Sequence, residues 1–362
     1  MALTAALLAT MAGAVSAQDT TQAYPWRLSY FPYVTASPND GVMPMARVVW
    51  FQASRWDART SIDRQVAIEG GYSTKDAWLV RVQGGFPRFA PGWRLQAIGE
   101  AARSAEYLVG SLVASSATRE LLSSEVTRVL GRHWLLALRG EAAHVDIPVH
   151  NEGDTDTSVV ETDIRGRLAL IYDRRDREYD TRAGFLFQGG VLGGSAGAGY
   201  AGMYFTGDVW IPINERTRAL VRGGFRFLEE STIDAARIIP AWENEFVAGG
   251  GPESNRALPI GTGASRRVQF ESIELRRDLF VFSGGAVAAL GFIDGSYAGS
   301  DPSSPLQGPV YVAANPDSPD RGWTVGAGGG MMIRLLRNAV LTATVGVAEG
   351  KARVYVSSGW SW

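Results

Sequence analysis

Three histidines, His133, His144 and His150, are the only imidazoles in this chain, and there is no cysteine. The histidine spacing forms no H-E-x-x-H or related ligand set, so no metal centre is expected. Without thiols there is no disulfide framework, no Cys–Zn site and no thiol nucleophile. A cysteine-free chain also suits export through an oxidising compartment. Hydrolytic chemistry needs a nucleophile beside a base. A lipase-type pair would be His133 or His144 with a strand serine such as Ser124, and nothing in the spacing singles that pair out. His150 borders the acidic run Asn151-Glu152-Gly153-Asp154-Thr155-Asp156, whose calcium-loop pattern is incomplete. It reads as a solvated loop, as does 297–322 with Asp301, Asp317 and Asp320. Glycines cluster at Gly189-Gly190, Gly193-Gly194, Gly284-Gly285 and from Gly326 to Gly330. None opens a helix as G-x-G-x-x-G, and there is no G-K-[ST]. Glycines that let strands curve and approach closely are the better reading. The expectation is a non-enzymatic chain with no cofactor.

The elements behind these residues have a period of two. Ile164, Leu168, Leu170 and Tyr172 fall on one face of a strand, and Asp163, Arg165 and Arg167 on the other. Trp78, Val80 and Val82 oppose Arg81 and Gln83 in the same way, and Val354, Val356 and Trp360 oppose Arg353, Tyr355 and Ser357. Such alternation, with apolar faces ending in Trp or Tyr, is the pattern of a transmembrane β-barrel with an aromatic girdle. The hydrophobic content of 46% and mean hydropathy of −0.04 suit it, because only every second strand residue must meet lipid. A net charge of −2 shows no basic excess, so nucleic acid is not an expected partner. Lys75 and Lys351 are the only lysines among 35 basic residues. Genome composition or a polar lumen laced with Arg–carboxylate pairs would each account for that.

The reading is all-β: a transmembrane antiparallel barrel of about sixteen strands. The spans are 26–36, 42–53, 61–73, 76–86, 92–105, 117–131, 132–145, 161–174, 183–193, 200–213, 216–230, 266–278, 281–296, 323–335, 339–348 and 352–362. Residues 1–17 read as a signal peptide, an apolar stretch ending in the small-x-small site Val15-Ser16-Ala17 without a preceding Lys or Arg. A short segment, 18–25, then precedes the barrel, 26–362. With both ends on the periplasmic side, the long connections 106–116, 146–160, 231–265 and 297–322 fall outside. Gly131-Arg132, Ile213-Asn214-Glu215 and Leu336-Arg337-Asn338 make short inner turns, the expected asymmetry. The turn from Arg174 to Arg182 is long for its side.

Four motifs follow in order. They are Tyr172-Asp173-Arg174-Arg175-Asp176 with Thr181-Arg182-Ala183-Gly184-Phe185; Phe246-Val247-Ala248-Gly249-Gly250-Gly251-Pro252-Glu253-Ser254-Asn255-Arg256; Ile273-Glu274-Leu275-Arg276; and Gly291-Phe292-Ile293-Asp294-Gly295. From about Tyr172 onward the chain resembles the bacterial surface antigen family, the barrel domain of the BamA/TamA-type outer-membrane assembly superfamily. The first half carries the strand pattern but no motif of that family. After Arg256, Ala257-Leu258-Pro259 stands where the family has glycine and an aromatic.

The resemblance implies that Arg256 folds into the lumen and pairs with Asp294, with Glu274 nearby, as a lock on the long loop. Gly249, Gly250 and Gly251 would turn the backbone inward. A loop of about 35 residues would otherwise hang loose. Tyr355, Trp360 and Trp362 resemble the terminal aromatic strand that the barrel assembly machinery reads during biogenesis. The implied setting is the cell outer membrane, with its lipids and lipopolysaccharide as partners. The family's periplasmic POTRA domains have no counterpart in the short 18–25 segment, so a separately encoded periplasmic partner enters the expectation. The implied function is assembly or transport of outer-membrane protein or lipid. A passive porin-like channel with a loop plug, and the lipase-type enzyme, are the alternatives.

Overall fold

The computed structural model describes residues 25–360 apart from 55–59, 61, 106, 110–111, 115, 150–156, 179, 197, 229–249, 253, 261–266, 283–284, 300–321 and 336–338. The expected signal peptide, most of the 18–25 segment, Gly249, Trp362, the acidic run after His150 and most of the two longest loops lie outside the described residues.

Eighteen strands are described: β1 Arg27–Ser37, β2 Gly41–Ala53, β3 Ile62–Tyr72, β4 Trp78–Ala90, β5 Trp93–Ser104, β6 Tyr107–Val109, β7 Leu112–Ala114, β8 Ala117–Val129, β9 Trp134–Val149, β10 Thr157–Asp173, β11 Gly184–Ala196, β12 Ala198–Pro212, β13 Thr217–Leu228, β14 Arg267–Phe282, β15 Gly285–Gly299, β16 Gly322–Leu335, β17 Ala339–Ala348 and β18 Lys351–Trp360. Sixteen of them close into an antiparallel barrel in which each strand pairs with its chain neighbours and β1 meets β18. β6 and β7 pair only with each other, as a small hairpin between β5 and β8.

The period of two sorts side chains between the two faces of the wall. On β10, Ile164, Leu168 and Leu170 are exposed outward, whereas Asp163, Arg165 and Arg167 are buried inside. Rings on β9 to β13 run in contact along the outer face, through Trp134, Tyr172, Phe185, Phe187, Phe205 and Phe225, with centroids 4.5–6.1 Å apart. The lumen is lined with ion pairs: Arg47 with Glu69, Arg81 with Glu69 and Glu100, and Arg139 and Arg165 with Glu141. Arginine can fill such a lumen because its planar fork serves two carboxylates at once. The arginine excess therefore has a structural use in this wall.

Several boundaries differ from the sequence reading: β4 runs to Ala90 rather than 86, β9 to Val149 rather than 145, β10 starts at Thr157 rather than 161, and β11 runs to Ala196 rather than 193. β14 runs on to Phe282 because a bulge between Asp278 and Phe280 shifts the register. Leu279, Phe280, Val281 and Phe282 are consequently all exposed, which hides the alternation, and β15 begins at Gly285 rather than at 281. The connection read as 106–116 contains the β6–β7 hairpin, whose three-residue strands are too short for periodicity to register.

Candidate functional site in the lumen and at the strand seam

The long loop between β13 and β14 sends a tight turn back into the barrel. Gly251 takes φ +120, a conformation glycine reaches without side-chain strain. Its amide donates to the Asn255 carbonyl at 3.0 Å, and Ser254 closes back onto the Gly251 carbonyl at 3.2 Å. Gly250 bridges Asn255. This knuckle presents Asn255, Arg256, Ala257 and Leu258 to the wall, all buried.

Arg256 enters a box built by adjacent strands. Ser272 on β14 stands opposite Asp294 on β15, and Glu274 opposite Phe292. The guanidinium donates from Nε to Asp294 Oδ2 and from Nη2 to Asp294 Oδ1, each at 2.8 Å, a two-pronged pairing. Nη2 also reaches Ser272 Oγ at 3.1 Å, and Nη1 pairs with Glu274. The Arg256 amide adds a 3.0 Å bond to Asp294, and the guanidinium carbon lies 3.7 Å from the Phe292 ring centroid. Asp294 is 0% exposed. Burial works against the charge on Arg256, but Asp294 and Glu274 outweigh it and hold the guanidinium pKa above its usual value.

Neighbouring contacts, which the sequence did not reveal, extend the anchor. Asn255 Nδ2 donates to the Thr324 carbonyl at 3.0 Å and Ser296 Oγ at 3.3 Å. Ala257 packs against bare backbone at Gly346, where a Cβ would lie 2.7 Å from the Arg256 carbonyl oxygen. Tyr355, noted in the sequence as part of the terminal aromatic strand, points into the lumen and donates to the Leu258 carbonyl at 2.6 Å. Asn39, in the turn between β1 and β2, donates to the Ile260 carbonyl at 3.5 Å. The segment 255–260 thus touches both sides of the β1–β18 junction. Trp360 ends β18.

That junction is the weak place in the ring. A single opposed pair, Ala36 with Val356, joins β1 to β18. Among the described residues, every other seam of the barrel has at least eight, as between β3 and β4. Pro32 in β1 carries no amide hydrogen for a ladder and suits an edge. Across the junction, Leu341 of β17 packs against the cluster of Tyr33, Met43 and Met45, so side-chain packing does much of what the ladder does elsewhere.

The register keeps the possible hydrolytic residues apart. Ser124 stands opposite Gly140, and His144 opposite Glu120, with its Nδ1 3.0 Å from Thr162 Oγ1. His133 Nδ1 sits 3.1 Å from the Asp173 carbonyl oxygen.

No protein-family model and no curated protein sequence matches the chain. Solved structures do. BamA from Haemophilus ducreyi lacking POTRA domains 1–3 matches over 92% of this chain and 70% of that one, at 11% identity and a TM-score of 0.58. CdiB from Escherichia coli matches over 94% and 64%, at 13% identity and 0.61. CdiB from Acinetobacter baumannii matches over 94% and 66%, at 10% identity and 0.54. The chain spans a little under two thirds of the CdiB chains. Its fold, a closed sixteen-strand antiparallel barrel, is that of the BamA and CdiB barrels.

Proposed function

We propose that this protein is an outer-membrane barrel of the assembly and translocation type, without enzymatic activity, that acts through the β1–β18 seam. The observation that carries the reading is the single ladder pair at that seam. A strand edge with few partners is a template for another strand. The knuckle at 255–260 spans the same junction, so docking of Arg256 and closure of the seam are coupled. The lipid-facing band and aromatic ladder support a place in the outer membrane, with the long loops outside and the short turns in the periplasm. The terminal strand through Tyr355, Trp360 and Trp362 is the segment the assembly machinery would read. Lipid, lipopolysaccharide and a separately encoded periplasmic protein are the proposed partners.

The test uses the natural absence of cysteine. Ala36→Cys with Val356→Cys places a disulfide across the seam, and Val80→Cys with Ala101→Cys places one across β4 and β5. Each barrel is reconstituted in liposomes with a urea-unfolded eight-strand outer-membrane protein as client, and folding is followed by heat-modifiable gel mobility. The expected result is accelerated client folding by the reduced seam pair and by both forms of the control, and loss of acceleration when the seam pair is oxidised. Equal acceleration by the oxidised seam pair would count against the proposal.

A further inference from the structure

A second inward structure sits at the opposite end of the barrel. The turn between β10 and β11 is folded around Asp176, whose Oδ1 accepts from the amides of Arg177 and Arg182 at 3.0 Å and of Ala183 at 3.3 Å. Arg175 doubles back on Asp173 at 3.0 and 3.1 Å and reaches the Glu178 carbonyl at 3.3 Å. Burial opposes its charge, yet Asp173 wins and raises its pKa. Asp180 adopts φ +44, and Gly184 φ +115, where a Cβ would lie 2.8 Å from Arg175 Cα. The turn is therefore shaped rather than slack.

Its ties run to walls far apart. Arg94 on β5 grips Glu178 with two bonds of 2.9 and 3.0 Å. Asp180, two residues on, accepts from Arg218 on β13 at 2.9 Å and from Arg334 on β16. Arg334 also pairs with Asp278. In the closed ring, β5 and β16 stand nearly opposite one another. Arg94, Arg218 and Arg334 all lie within two residues of the short-turn ends of their strands. The turn therefore crosses the mouth, above a cavity of about 310 Å³ lined in part by Arg94, Arg167, Arg175, Glu125 and Gln188.

Barrels of about sixteen strands are wide enough to leave an aqueous channel. We infer that the 174–183 turn is a plug that seals the short-turn mouth, and that its ties at Glu178 and Asp180 keep the lumen closed to solutes. The inference rests on the fold and is independent of the seam proposal.

Planar-bilayer recordings at about 0.15 M KCl test it on three proteins: the wild-type chain, Glu178→Ala/Asp180→Ala, and Arg94→Glu/Glu178→Arg. Heat-modifiable mobility verifies that each is a folded barrel. The wild type is expected to be silent or to open rarely. The double alanine variant should raise open probability by about tenfold or more, as loss of several charge-assisted bonds implies. The charge swap, which exchanges the partners at 94 and 178 and leaves Asp180 tied to Arg218 and Arg334, should stay close to the wild-type closure. A folded alanine variant as silent as wild type, or a wild type that carries steady current, would overturn the inference.

Discussion

Arg256 illustrates how one side chain can hold a long loop. Its guanidinium is satisfied by Asp294, Glu274 and Ser272 together, inside a box with little access to water. Replacing it takes away the cation that faces Asp294, while Glu274 keeps Arg276, and breaking a buried pair in this way costs about 3–5 kcal/mol. Arg256→Ala should therefore lower the Tm and open residues 240–265 to protease, with cleavage sites read by mass spectrometry. Arg256→Lys keeps the charge but loses the fork, so it should fall between the two. Unchanged protease sites and Tm in the alanine variant would remove the lock from the account. The Arg256, Asp294 and Glu274 trio was legible only through motif order, because nothing in a linear sequence brings residues 18 and 38 positions away to one point. Asn255, Ser272 and Phe292 carried no separate signal: their roles exist only once β14 and β15 are in register.

At the scale of elements, the strands were largely legible and the exceptions have physical causes. Alternation located the sixteen wall strands because lipid and lumen impose opposite demands on successive residues. It failed at β14, where the bulge after Asp278 leaves four apolar residues exposed in a row. It was also blind to the backbone contacts of β17. Gly346 reads in sequence as one more strand glycine, yet its bare Cα is where Ala257 rests. Gly346→Ala should push the knuckle away without touching any charge. The expected outcome is protease cleavage in the same 240–265 window as Arg256→Ala, with the barrel still heat-modifiable. Cleavage confined to other loops would show that the close approach is not what seats the knuckle. The length of the Arg174–Arg182 turn was visible from the start, but its destination was not, since Arg94 and Arg334 become its neighbours only when the sheet closes.

For the whole molecule, the closed ring leaves one question of stability: where it opens first. Among the described residues, fifteen junctions carry ladders of at least eight opposed pairs, and the sixteenth has one opposed pair backed by packing and by the knuckle at Tyr355 and Asn39. Local opening follows the sparsest backbone hydrogen bonding. The most direct measurement is hydrogen–deuterium exchange of the intact barrel in lipid nanodiscs, compared strand by strand. Peptides from β1 (27–37) and β18 (351–360) should exchange well before those from β9 (134–149) and β10 (157–173), which share the longest ladder. Protection of β1 and β18 equal to that of β9 and β10 would contradict a seam that opens.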